Sequence, residues 1–190
     1  MTTPRNPEDF ALLREDLAYH QARVLLLIDA VAAARGHQGK VDGLTKLAKL
    51  DFLLRYPALA PVVLDALSPA DPRLGLHEEE TGDPANVEAP MIRYKYGPWD
   101  DRYYAVIGAL VSRNLLRYVG GRRGSVALAP TPTGRAFAAQ LAAADEWSEI
   151  ADRSKAIAES SAGLSGNALK DLIYLRLGSL MDRKYGEVIR

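Results

Sequence analysis

The chain has 190 residues, of which 48% are hydrophobic, and its 24 basic and 24 acidic residues give a formal net charge of zero. It contains no cysteine, which excludes disulfides, thiolate zinc sites and cysteine nucleophiles and is consistent with a reducing compartment. The sequence has no apolar signal segment at its start and no apolar run near the ~20 residues that span a bilayer. We therefore expect a cytoplasmic protein with one core and added helical pieces.

The first third of the chain carries helical signals. Asn6 and Pro7 predict the start of a long first helix, which a basic turn and a glycine at Arg35 and Gly36 would end. Asp42 predicts the N-cap of a second helix with a leucine stripe, and Pro57 ends it because the residue before proline avoids the α region.

Residues 57–90 have weaker helical signals and an excess of acidic residues. Residues 57–67 predict a short third helix, and residues 68–90 predict an irregular connection because they hold four prolines, two glycines and no apolar period. Residues 57–90 contain seven acidic residues and one basic residue, whereas residues 91–124 contain seven basic and two acidic residues. An acidic loop beside a basic hairpin is the interpretation that we favour.

Residues 91–135 predict a strand, a turn, a helix, a hairpin and the start of a further helix. Gly97 and Pro98 predict the helix start, which places Asp100 and Asp101 in its first turn, where the helix dipole favours carboxylates. Residues 116–119 and 125–129 predict the two hairpin strands, because glycines lie in the loop between them. This order of elements is that of a winged helix.

The C-terminal part is again helical. Thr131 predicts an N-cap with Pro132 at the first helical position, and the helix or pair of helices in line that follows ends at residues 160–163. Ser165 or Asn167 predicts the cap of a last helix that continues to Tyr185. The C-terminal helices would either pack on the first helix or dock on a partner.

The predicted fold class is therefore mainly α with a small β-hairpin. We expect a winged-helix domain with additional N- and C-terminal helices. The predicted division is a helical and winged-helix domain over residues 1–145 and a C-terminal helical extension over residues 146–190.

Two sets of side chains are candidates for recognition. Five aromatic residues form a core wall, a partner interface or a surface on which nucleobases stack: Tyr94, Tyr96, Trp99, Tyr103 and Tyr104. Four basic residues are candidates for nucleic-acid contact: Arg113, Arg117, Arg122 and Arg123.

Catalytic chemistry finds little support in the sequence. His20, His37 and His77 have no metal-site spacing, and no nucleophile elbow or phosphate-binding glycine loop is present. The carboxylates of residues 78–80 could hold a divalent cation, but solvated loop carboxylates are the more common case. Asp51 is expected to pair with Arg55 four residues later. We expect no catalytic residue, no metal, no cofactor and no enzymatic activity.

Three segments resemble a known family. GLTKLAKLDFLLRYP at 43–57, RYKYGPWDDRYYAVIGALVSRNLL at 93–116 and LAPTPTGRAFA at 128–138 resemble the middle components of bacterial ABC three-component defence systems, which include Lamassu-like systems. The resemblance covers most of residues 10–140. It implies an accessory subunit encoded beside an SMC-like ABC ATPase and an effector, which is a nuclease or another toxic protein. The run of residues 95–98 also resembles SocA-like Panacea antitoxin domains, which bind and neutralise a toxin.

Charge separates the candidate functions. A winged helix that reads DNA brings the start of its recognition helix close to phosphates, and Asp100 and Asp101 would oppose them unless paired or turned inward. We therefore expect a non-catalytic subunit of an anti-phage defence complex that docks on the ATPase and the effector, with the hairpin arginines in auxiliary, non-specific DNA contact. The alternatives are a winged-helix DNA-binding regulator and a SocA-like antitoxin.

Overall fold

A computed structural model describes residues 16–76, 90–95 and 97–189, apart from the side chain of Arg123. The helices are α1 (Leu17–Ala33), α2 (Gly43–Arg55), α3 (Ala60–Val63), α4 (Tyr103–Ser112), α5 (Pro132–Ala142), α6 (Asp145–Ser160), α7 (Gly166–Arg176) and α8 (Gly178–Met181). The strands are β1 (Ile92–Tyr94), β2 (Gly97–Trp99), β3 (Leu116–Gly120) and β4 (Val126–Pro130). Among the described residues, no helix combines the length and the apolar character that crossing a membrane requires.

The strands form two antiparallel hairpins. In the first, Ile92 lies opposite Trp99, and in the second, Leu116 lies opposite Pro130. The segment between α1 and α2 joins the second hairpin through Val41, whose backbone exchanges two hydrogen bonds with Leu128, at 2.8 and 3.0 Å. The second hairpin is therefore fixed to the loop between the first two helices.

One hydrophobic cluster runs through the described part of the chain. It includes Leu25 of α1, Phe52 of α2, Ile107 of α4, Ile157 of α6 and Ile173 of α7, each of them at most 3% exposed. This burial supplies most of the stability that holds the helices together, because each large aliphatic side chain contributes about 1.5–3 kcal/mol when it leaves water.

The C-terminal helices pack back on the N-terminal ones. The ring of Trp147 stacks on Tyr19 of α1, with centroids 5.4 Å apart, and His37 donates through Nε2 to the carbonyl of Ala158 at 2.8 Å. The hydroxyl of Tyr56 donates to the carbonyl of Ile189 at 2.6 Å. Packing on the first helix is thus the arrangement adopted, while a domain boundary at residue 145 stays a prediction.

Several predictions from local signals are confirmed. Helix α2 spans Gly43–Arg55 and ends before Pro57, and the hairpin strands lie within one residue of their predicted bounds. Thr131 caps α5, since its Oγ1 accepts from the backbone N–H of Gly134 at 2.9 Å. The helical run after Pro132 is two helices, and Ser165 caps α7.

The predicted helix start at Gly97 and Pro98 is wrong. Both residues belong to β2, and Gly97 has a φ of +108° that a helix does not allow. Helix α4 begins only at Tyr103, after a turn in which the Asp100 carboxylate accepts from the backbone N–H of Arg102 at 3.0 Å. Proline suits the first helical position and an edge strand equally, so the local signal was ambiguous.

Three further boundaries differ from prediction. Helix α1 begins at Leu17 rather than near Pro7. Asp16 precedes it with an extended backbone, and its side chain accepts from two N–H groups of the first turn. Asn6 and Pro7 lie outside the described residues. Residues 57–63 form a 3₁₀ turn and a four-residue helix rather than one helix. The predicted last helix is divided at Leu177 into α7 and the short α8, and α8 ends at Met181, short of Tyr185. In the predicted irregular connection, Asp71 is described and pairs with Arg73, whereas the acidic segment 77–83 and Glu88 lie outside the described residues.

Candidate functional site

Helix α2 carries two charged side chains into the interior, Lys49 and Asp51. Lys49 is 1% exposed and Asp51 is fully buried. Residues two positions apart on a helix point in different directions. Asp51 faces α1 and α4, whereas Lys49 faces β2 and α7.

Asp51 is surrounded by donors. It accepts from Arg23 Nε at 2.9 Å, from Arg55 Nη2 at 2.6 Å and from the hydroxyl of Tyr103 at 2.7 Å. Burial alone would raise the pKa of Asp51, but the charges of Arg23 and Arg55 hold that pKa well below its usual range. The predicted pair with Arg55 is confirmed, as one part of a larger network.

Asp100 extends this network toward α4. It accepts from Arg55 Nη2 at 2.7 Å and from Arg102 Nε at 2.8 Å, and these two arginines outweigh burial and hold its pKa well below the usual range. The ring nitrogens of His20 lie 2.6 Å from guanidinium nitrogens of Arg23 and Arg102.

We call these residues the buried charge cluster: His20, Arg23, Asp51, Arg55, Asp100, Arg102 and Tyr103. The cluster ties α1 and α2 to the turn that precedes α4. The cluster also decides whether Asp100 and Asp101 would both face a phosphate at the start of α4. The Asp100 carboxylate points inward and is 6% exposed, so that of the pair only Asp101 is exposed to solvent at the start of the helix.

On the other side of α2 lies a cleft of about 280 Å³, which we call the Lys49 cleft. Leu44 and Pro98 contribute aliphatic surface, and Tyr94, Trp99 and Tyr104 contribute aromatic surface. Lys49 lines the cleft with its buried side chain, and the exposed Asp101 lies at its rim.

The Lys49 ammonium makes no hydrogen bond and no ion pair within the described part of the chain. Burial, and then the like charges of Lys170 and Arg93, lower its pKa to about 8. A Cβ atom added at Gly97 would lie 3.7 Å from Lys49 Cε and 3.8 Å from Nζ, so Gly97 lies beside the end of the side chain. Sequence reasoning missed Lys49, since a lysine in a leucine-rich helix usually faces water.

The structure divides the predicted aromatic set. Tyr94 and Trp99 stack with ring centroids 5.6 Å apart, and Tyr104, which is 68% exposed, lies 6.1 Å from Trp99. These three line the Lys49 cleft, and Tyr185, which sequence reasoning missed, extends them at 5.0 Å from Tyr94. Tyr103 is 1% exposed and belongs to the buried charge cluster. Tyr96 lies outside the described residues.

The predicted basic residues occupy two places. Arg117 and Arg122 are exposed on the second hairpin. Arg113 follows the end of α4 and donates to Gln21 Oε1 of α1 at 2.9 Å. The side chain of Arg123 lies outside the described part.

Within the described ranges, no group of three or more histidine, aspartate or glutamate side chains is placed to hold a metal ion. His77 and the carboxylates of residues 78–80 lie outside those ranges. No family model, curated protein or solved structure matches the chain.

Proposed function

We propose that this protein is a non-catalytic accessory subunit of a bacterial anti-phage defence complex, and that it docks on an SMC-like ABC ATPase and an effector through a winged-helix scaffold. The order α1, Val41 bridge, α2, α4, β3 and β4 supports the winged-helix assignment, because that fold uses three helices, a short strand after the first and a terminal hairpin. The residues between α2 and α4 would then be an insertion, and α4 would hold the position of the recognition helix.

The outer face of α4 is the observation that carries the proposal. Tyr104, Ala105, Gly108 and Ser112 are exposed, and the helix sequence YYAVIGALVS contains no charged residue. A helix that reads DNA needs donors for base edges and cations near phosphates. Small side chains beside an exposed tyrosine instead allow the close approach of another protein, with the tyrosine as an anchor.

Two further features support the assembly. The three segments that resemble middle components of ABC three-component systems include α2, α4 and the start of α5, which make up much of the proposed scaffold. The exposed Arg117 and Arg122 give the second hairpin a cationic surface, which suits auxiliary contact with DNA phosphates inside the complex.

A matched pair of substitutions tests the docking face. Ala105 on α4 and Ala139 on α5 are both exposed helical alanines. Ala105→Glu should abolish co-elution with the SMC-like ATPase encoded beside this gene, because an unpaired carboxylate would be buried against the partner. Ala139→Glu should co-elute like the unchanged chain, and both variants should melt as it does.

Size-exclusion chromatography of the co-expressed proteins at micromolar concentration gives the result. If the unchanged chain never co-elutes with the ATPase, the proposal of an accessory subunit is wrong. If Ala105→Glu co-elutes as well as Ala139→Glu, the docking surface is not on α4.

A further inference from the structure

The Lys49 ammonium is a buried cation for which the described residues supply no counter-charge. A lysine that is 1% exposed and has no hydrogen-bond acceptor among the described residues is costly, and proteins normally either pair such a group or leave it in water. Here the side chain lines an open cleft instead. A bound anion would supply both the missing acceptor and the missing charge.

We propose that the Lys49 cleft binds a carboxylate that is carried on a flat apolar group. The aromatic rings of Tyr94, Trp99 and Tyr104 provide the surface for the apolar group, and Lys49 provides the partner for the carboxylate. The volume of about 280 Å³ is at the lower end of small-molecule sites and suits one ring with a short acidic arm.

The charges around the ammonium favour an anion. Lys170 and Arg93 are like charges that act on Lys49, and Asp101, which lines the cleft, is the one carboxylate among the described lining residues. An anion bound at Lys49 would therefore be attracted by three cations and repelled by one carboxylate.

Two sources present the same chemistry. One is a free aromatic acid, and the other is the C-terminal residue of a protein, which presents a carboxylate beside a side chain. Tyr104 belongs both to this cleft and to the proposed docking face of α4, but the binding assays use the chain without a partner, so each proposal can fail without the other.

Isothermal titration calorimetry of the full chain tests binding with matched probes. Phenylacetate represents the free acid and N-acetylphenylalanine represents a protein C-terminus, and phenylacetamide and N-acetylphenylalaninamide are their neutral counterparts. We expect at least one acid to bind with a millimolar or lower Kd, and its amide to bind at least about tenfold more weakly, as expected when a charge-assisted hydrogen bond is removed. The acid that binds more tightly identifies the source.

Two variants locate the site. Lys49→Met keeps the length of the side chain and removes the charge, and it should weaken acid binding at least about tenfold. Lys155→Met removes an exposed cation on α6 and should leave the affinity unchanged. If no acid binds the unchanged chain, if the amides bind as well as the acids, or if Lys49→Met binds normally, the proposal is wrong.

A second measurement uses the unchanged chain and does not depend on how the variant folds. The pKa of Lys49, followed by NMR through its ε-carbon, should start near 8 and rise when the acid binds, because a bound carboxylate stabilises the ammonium form. A pKa of Lys49 that stays constant at saturating acid would place the ligand elsewhere.

Discussion

Asp51 and Lys49 lie two positions apart on α2, and both are buried, yet their surroundings differ. The environment of Asp51 stabilises its charged form, whereas the environment of Lys49 destabilises its charged form. Asp51 accepts hydrogen bonds from two arginines and a tyrosine, and its pKa is held far below the ordinary value. Lys49 has no acceptor among the described residues, and its pKa falls toward neutrality. Burial is nearly equal, so the difference lies in the partners.

The comparison separates a charge that supports the fold from one that we propose for recognition. A buried charge that is paired with several donors fixes the elements around it, and the buried charge cluster joins α1, α2 and the turn before α4. A buried charge that lines a cleft without a partner makes the folded state less stable than a neutral side chain would. Such a residue is a reasonable candidate for ligand binding.

The largest expected effect comes from removing the satisfied charge. Asp51→Ala should lower the free energy of unfolding by about 3–5 kcal/mol, because the buried Arg23 would lose the carboxylate it pairs with and the buried Arg55 would lose one of its carboxylate partners. Urea unfolding followed by circular dichroism measures the change.

Asp152→Ala is the control for that substitution. Asp152 is 51% exposed and pairs with Lys155 across one helical turn, so its removal should cost no more than about 1 kcal/mol. If Asp51→Ala and Asp152→Ala unfold at the same urea concentration, the buried charge cluster does not stabilise the fold as described.

Removing the charge of Lys49 should stabilise the protein, whereas removing that of Asp51 should destabilise it. Lys49→Met should raise the free energy of unfolding at pH 7 by about 1–3 kcal/mol, because a pKa near 8 in the folded chain, against 10.5 ordinarily, means that folding opposes the ammonium form. Urea unfolding of both chains at pH 7 and at pH 10 measures the difference.

The pH dependence follows from the same shift. Between pH 8 and about 10.4 the unfolded chain holds more protons on Lys49 than the folded chain does, so the unfolding free energy of the unchanged protein gains from this group as pH rises. Lys49→Met has no ammonium and so lacks this increase. The amount by which its unfolding free energy exceeds that of the unchanged chain should therefore be smaller at pH 10 than at pH 7. A constant difference, or a less stable variant at pH 7, would show that the ammonium is not destabilising.

Local signals made parts of this structure predictable. Proline after Tyr56, threonine before Pro132 and the glycines of the second hairpin act within a few residues, and each placed a boundary correctly. The pair of Asp51 with Arg55 was predictable for the same reason, since four residues make one helical turn.

What the sequence did not reveal depends on distant contacts. Arg23 precedes Asp51 by 28 residues, and Asp100 follows Arg55 by 45. Gly97, which lies beside the end of the Lys49 side chain, belongs to a strand that the sequence assigned to a helix, and the like charges Lys170 and Arg93 come from α7 and β1. No local pattern shows that Lys49 lacks an acceptor among the described residues, so only the three-dimensional structure made it a candidate.

The smallest effect on stability is expected where charges already face water. Arg117 and Arg122 are exposed on the second hairpin, so Arg117→Glu combined with Arg122→Glu should change the unfolding free energy by about 1 kcal/mol or less.

The same double variant tests DNA contact in the complex with the ATPase. The slope of log affinity for DNA against log salt should become shallower by about 0.9 for every phosphate that an arginine no longer neutralises. Fluorescence anisotropy with a labelled duplex at several salt concentrations measures that slope, and Lys155→Glu on α6 is the control. A lower stability would show that these arginines resemble Asp51 in supporting the fold, whereas an unchanged slope would assign DNA binding to the ATPase and leave the hairpin without a role in it.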